Sequence, residues 1–133
     1  QLGRIGSFRE RRRELVERYN EAFGHSESLT VPHERRGNVS CFHLYVLLID
    51  FKKIGKERGK VMERLKGAGI GTQVHYIPVH THPYYRRELG FGWGDFPVSE
   101  GYYAKALSLP LYPGMSDLDA DHVIDAVLGI VKE

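Results

Sequence analysis

Residues 40–50 (SCFHLYVLLID) constrain the fold of this chain more than any other stretch. From Phe42 to Phe51 both alternating faces are mostly apolar, the pattern of a strand covered on both sides. A strand of that kind needs neighbouring strands and helices over it, so it predicts a layered α/β domain. The chain has 133 residues, enough for one ordinary domain with a core of its own. No internal repeat, low-complexity stretch or second domain is visible.

The elements around this strand follow from periodicity and punctuation. Residues 1–24 predict a helix, with Ile5, Phe8, Leu15, Tyr19 and Ala22 forming one stripe that Val16 and Phe23 widen. Glu14 and Arg18 are spaced as a favourable pair on its surface, and Gly24 suits its end. Gln1, Leu2 and Gly3 offer no good cap, so the helix reads as continuing a longer element or an interdomain connection. Residues 25–39 read as loop. A helix is expected at 56–68 with Gly69 as its stop, and a second strand at 71–77 running into Pro78. Residues 78–97 form a long aromatic-rich connection with a short helix near 84–89, and Gly90, Gly92 and Gly94 alternate with Phe91, Trp93 and Asp95. Connections of this length inside a domain are usually functional or poorly ordered, and the aromatics argue for function. A helix at 98–107 capped by Ser99, a short strand at 107–111 and a last helix capped by Ser116 complete the chain. Asp117, Asp119 and Asp121 complement the positive end of that last helix, and Val123, Ile124, Val127, Ile130 and Val131 form its buried stripe. The order predicts an open α/β sandwich, one sheet of three or four strands with helices mainly on one face.

Composition narrows the function classes. Apolar residues make up 41% and charged residues 27%, which excludes collagen-like and acidic disordered chains. The lone Cys41 cannot form an internal disulfide. Residues 1–20 are charged throughout, unlike a signal peptide, and no apolar run approaches the ~20 residues of a membrane span. The expectation is a soluble cytoplasmic domain with no membrane partner. Net charge is +2, but residues 1–66 carry 15 basic against 9 acidic side chains and residues 67–133 carry 4 against 8. Such asymmetry marks either a nucleic-acid face or a side that meets another part of a larger protein.

The densest chemical cluster is residues 75–86 (HYIPVHTHPYYR). Three histidines within eight residues raise the question of a metal, but no HExxH is present and Cys41 is far away in sequence, so no metal site is assigned. General acid–base work by one histidine is open, although no nucleophile sits in a recognisable motif beside it. Another reading is that His75 and Tyr76 simply end a strand with hydrogen-bonded side chains. A third is ligand contact: rings and imidazoles on a proline-stiffened loop can stack on a base and bond sugar hydroxyls or phosphate oxygens. The glycines at 67, 69 and 71 follow a helix and precede a strand, the wrong order for a dinucleotide turn. The three aspartates near 117 lack the glycine and the distal glutamate of a calcium loop.

Residues 9–23 (RERRRELVERYNEAF), 42–49 (FHLYVLLI), 69–85 (GIGTQVHYIPVHTHPYY) and 106–127 (ALSLPLYPGMSDLDADHVIDAV) occur in that order. Together they resemble the C-terminal part of the DegT/DnrJ/StrS sugar aminotransferases, which are fold-type I pyridoxal-phosphate (PLP) enzymes. The resemblance covers nearly the whole chain. Its HLY strand and VHYIPVHTHPYY wording look most like the branch that aminates UDP-4-keto-6-deoxy-N-acetylhexosamines on the way to pseudaminic acid and related surface sugars.

The resemblance implies that residues 1–133 are a single small C-terminal domain, whose first helix leads to a large PLP-binding domain. It also implies a homodimeric enzyme that moves an amino group from glutamate to the C4 ketone of a nucleotide-linked deoxysugar, with PLP held by a lysine. None of Lys52, Lys53, Lys56, Lys60, Lys66, Lys105 and Lys132 follows the family's Schiff-base pattern. Residues 1–133 are therefore expected to supply no catalytic or cofactor-binding residue, to bind no PLP and to be inactive alone. What the resemblance leaves to them is substrate contact, through His75, Tyr76 and His80 first and His82 and Tyr84 next. The rival from another class is a non-catalytic basic α/β module gripping RNA or a protein through the arginines of residues 9–13, Arg35 and Arg36. The aromatics cluster in the acidic half instead, which argues against nucleic acid.

Overall fold

The computed structural model describes residues 2–132, so Gln1 lies outside the described residues. Helix α1 (Ile5–Phe23), strand β1 (Leu29–Thr30), strand β2 (Tyr45–Ile49), helices α2 (Arg58–Gly67), α3 (Pro83–Leu89) and α4 (Pro97–Lys105), strand β3 (Ala106–Leu109) and helix α5 (Asp117–Lys132) follow in order. Short 3-10 turns precede α1 and α3.

The sheet is antiparallel, in the order β1-β2-β3. It has three strands, as expected, but not the three the sequence indicated. Residues 71–77 do not form a strand: Gln73 alone bridges to Ser108, in two hydrogen bonds of 3.2 and 2.8 Å. Pro110 follows one side of that bridge and Pro78 closes the other, and a proline donates nothing to a ladder. The third strand is β1, inside the presumed loop, where Leu29 and Thr30 pair with Ile49 and Leu48.

Tyr45, Leu47 and Ile49 face a core built with Leu15, Tyr19 and Phe23 of α1, Val61 and Leu65 of α2, and Val123 and Val127 of α5. Val46 and Leu48, on the other face, are only half-buried. Here a cavity of about 400 Å³ lies between Val31, Leu44, Val46, Leu48 and Tyr102 of α4. The expected double cover is thus complete on one face and partial on the other. Ile5 is exposed and Phe8 half-buried, so the first turns of α1 run past the core.

Two glycines have clear physical causes. Gly69, after α2, has φ +78°, where side chains are disfavoured. Gly24 donates to the Asn20 carbonyl, and a Cβ there would sit 2.7 Å from that oxygen. At α5 the Asp119 N–H donates to Ser116 Oγ at 3.1 Å while Ser116 N–H donates to the Asp119 carboxylate at 3.0 Å, the reciprocal cap expected of Ser116.

Part of the charge asymmetry is answered inside the molecule. Arg18 grips Asp121 through two bonds of 2.7 Å. Arg11 reaches Asp117 at 2.6 Å and the Met115 carbonyl at 2.8 Å. The expected Glu14–Arg18 pair is replaced, because Glu14 pairs with Arg11 while the bidentate Asp121 holds Arg18. Arg13 forks onto Glu34 at 3.2 and 3.0 Å. The basic half therefore faces the acidic half in part, rather than only something beyond the fold.

Candidate functional site

From residue 82 to residue 105 no side chain is buried. This stretch, with the turn before it, forms an aromatic face outside the core. Tyr76 is 74% exposed and Trp93 58%, and Tyr84 and Phe96 are exposed as well.

Behind the exposed rings stand two imidazoles that are held in place. The His75 Nδ1 lies 2.8 Å from the Oγ of buried Ser108 on β3. The same Ser108 backbone pairs with Gln73, so the lone bridge fixes where His75 stands. Its ring meets that of Tyr76 edge-on, centroids 4.7 Å apart, across a cis peptide bond. His75 Nε2 has no partner among the described residues and remains open to a ligand.

His80 is different. It is 8% exposed, in the turn Val79–Thr81, and its Nε2 lies 2.9 Å from Oε1 of Glu100 on α4. Phe96 and Trp93 cover its ring, with centroids at 4.7 and 6.4 Å. The turn is closed by Thr81, whose N–H and Oγ1–H both donate to the Pro78 carbonyl. His82 and Tyr84 are exposed at the start of α3, where Pro83 occupies the first turn and Tyr84 meets Tyr85 edge-on. Of the five residues singled out by sequence, His75 packs against Tyr76, His82 and Tyr84 stand exposed at the start of α3, and His80 is turned inward.

Sequence reasoning passed over Glu100, which organises this region. Its carboxylate accepts the Gly94 N–H at 2.9 Å and the Phe96 N–H at 3.2 Å besides its contact with His80. Burial pushes this carboxyl up, but the Gly94 N–H, His80 and the Phe96 N–H outweigh burial and hold it below the usual glutamate value. Ser99, the expected cap, lies inside α4 (Pro97–Lys105), which has no side-chain cap. The signal was present: an acid in the first turn of a helix, directly after a glycine-rich loop, is placed to collect unpaired N–H groups. Beyond it, Trp93 leans on Tyr103, and Arg58 lies over the Tyr103 ring at 4.5 Å.

No group of three or more His, Cys, Asp or Glu side chains among the described residues is placed to hold a metal ion. No described helix is long and apolar enough to cross a membrane. What the site offers is stacking surface, ring nitrogens and hydroxyls, groups that can bind a ligand.

Comparison with known proteins gives consistent results. The DegT/DnrJ/EryC1/StrS aminotransferase family matches residues 1–128. The spore coat polysaccharide biosynthesis protein SpsC of Bacillus subtilis is 47% identical over 133 residues, which are 99% of this chain and 34% of that protein. Among solved structures, the PLP-form of the sugar aminotransferase Spr1654 of Streptococcus pneumoniae superposes with a TM-score of 0.87 at 27% identity, covering 99% of this chain and 33% of that one. PseC of Helicobacter pylori, an aminotransferase of pseudaminic acid biosynthesis, superposes at 0.87 with 24% identity, over 99% of this chain and 35% of its own, a likeness of fold alone. The chain spans about a third of the length of these proteins.

Proposed function

The chain belongs to the DegT/DnrJ/EryC1/StrS aminotransferase family, and from that premise we propose that it is the substrate-facing part of a PLP-dependent aminotransferase acting on a nucleotide-linked 4-keto-deoxysugar. In this reading glutamate is the amino donor, and the enzyme is a cytoplasmic homodimer. The observation that carries it is the exposed Tyr76 ring, backed by a His75 that Ser108 holds in place. Tyr76 stacks on the sugar nucleotide, His75 Nε2 meets a hydroxyl or phosphate oxygen, and His82 and Tyr84 extend the contact. His80 supports this face from behind.

PLP supplies the electron sink for amino transfer when bound, and we assign the lysine that holds it to sequence outside residues 1–133. Four of the seven lysines of this chain are held by partners of their own. Lys53, Lys60 and Lys105 end on Glu27, Glu63 and Asp50. Lys56, the one that is not exposed, gives its ammonium to the Ile130 carbonyl. A PLP imine absorbance band from residues 1–133 alone would overturn this assignment.

The likeness to SpsC, a protein of spore coat polysaccharide biosynthesis, favours the branch that makes surface sugars. The test is Tyr76→Ala in the enzyme that carries this chain. KM for the nucleotide sugar rises about tenfold, the scale of losing one aromatic contact, while the half-reaction with glutamate keeps its rate. An unchanged KM and kcat would sink the reading.

A further inference from the structure

We propose that Glu100 is a positioning residue that fixes the aromatic face in its binding shape before the sugar nucleotide arrives. The inference rests on the substrate-contact reading above and names the group on which that face depends.

The core does not hold this region, since α3, α4 and the loop between them contribute no buried side chain. That loop also has three glycines in seven residues, at 90, 92 and 94, with Gly94 at φ +101°. Glycine has the most conformational freedom to lose, so such a loop orders only if something ties it down. Glu100 is that tie. With its side chain 14% exposed, it joins three separate segments: His80 in the turn before α3, the Gly94 and Phe96 amides of the loop, and its own helix α4.

The consequence is geometric. Trp93 and Phe96 sit on either side of the Gly94 amide in sequence and both cover His80. Bonds to a carboxylate are the stronger kind, and here they set where both rings stand. Asp95 closes the loop locally, accepting the Gly92 N–H at 2.7 Å, but reaches no other segment in these bonds. Without Glu100 the loop keeps its tight turn and loses its position. A substrate then has to order the loop as it binds, which weakens binding without touching the chemical step.

The experiment is Glu100→Ala, with Glu100→Gln and Tyr76→Ala beside it, in the PLP-loaded enzyme that carries this chain. Two readouts are taken, amide hydrogen exchange over residues 91–96 and steady-state kinetics with the nucleotide sugar. Glu100→Ala should speed exchange of the Gly94 and Phe96 amides at least tenfold and raise KM about tenfold with kcat little changed. Glu100→Gln should recover much of both effects, because its carbonyl oxygen still accepts both amides. Unchanged exchange overturns the proposal. So does faster exchange with an unchanged KM when Tyr76→Ala raises KM. If neither variant moves KM, the substrate-contact reading has failed and this inference falls with it. Should Glu100→Ala not fold, His80→Phe cuts the link from Glu100 to the turn before α3 and leaves the two amide bonds in place, so KM should rise with exchange of the Gly94 and Phe96 amides little changed. An unchanged KM there, when Tyr76→Ala raises it, is equally fatal.

Discussion

Single residues here are legible from sequence by kind but not by direction. The histidines and tyrosines of residues 75–84 stand out for their chemistry, and all of them but His80 lie outside the core. Nothing in HYIPVHTHPYY, however, says that His80 turns inward while Tyr76 turns outward. That choice is made by Glu100, twenty residues on, and by Ser108 on β3. Tyr19 shows the same dependence on distant partners. Its position in the stripe of α1 marks it as core, but its hydroxyl donates to the Pro110 carbonyl at 3.0 Å, a contact no local pattern contains. Burial pushes the Tyr19 hydroxyl well above its ordinary pKa, with Tyr112 and Asp119 adding to the effect, so it stays a donor at any ordinary pH. Tyr19→Phe should cost about 1–2 kcal/mol in urea denaturation, because a partly buried carbonyl loses its partner. A cost near zero would mean that water replaces the hydroxyl.

At the scale of elements, the long periodic helices α1 and α5 were readable because each has a core stripe and a recognisable end. Ser116 is the clearest case. Ser116→Ala should remove about 1 kcal/mol, measured as a lowered melting temperature, and Ser116→Asn should restore most of it. Short strands were not readable in the same way. β1 has two residues, and neither Leu29 nor Thr30 alternates with anything; only pairing with Leu48 and Ile49 makes them a strand. Residues 71–77 failed in the opposite sense, since β-rich side chains promised a ladder that the prolines at 78 and 110 reduced to one bridge. The long β2 was found because its pattern is local, although its second face turned out to border a cavity.

For the whole molecule, the division into a basic and an acidic half described a fold in which the two meet. Arg18 of the basic half holds the Asp121 carboxyl of the acidic half below its usual value, while within the halves Arg13 does the same to Glu34 and the Ser116 hydroxyl and N–H do so to Asp119. The folded state therefore takes up these protons at lower pH than the unfolded chain does. Their contribution is fully present above the unfolded values, about 4.5 for Glu34 and 3.8 for the aspartates, and is lost as pH falls through the folded ones. The urea midpoint should drop steeply below about pH 4, and Asp121→Asn should make that drop shallower. A midpoint at pH 3 equal to that at pH 6 would contradict the pairing.

The packing of α1 against α5 also has a consequence for how the protein is made. Leu15, Val16, Tyr19 and Phe23 leave the ribosome roughly a hundred residues before Val123, Val127 and Ile130, which help to cover them. During that interval they are exposed to any apolar surface nearby, and no partial product can close the core by itself. Synthesis must run to the last helix before the first one is safe.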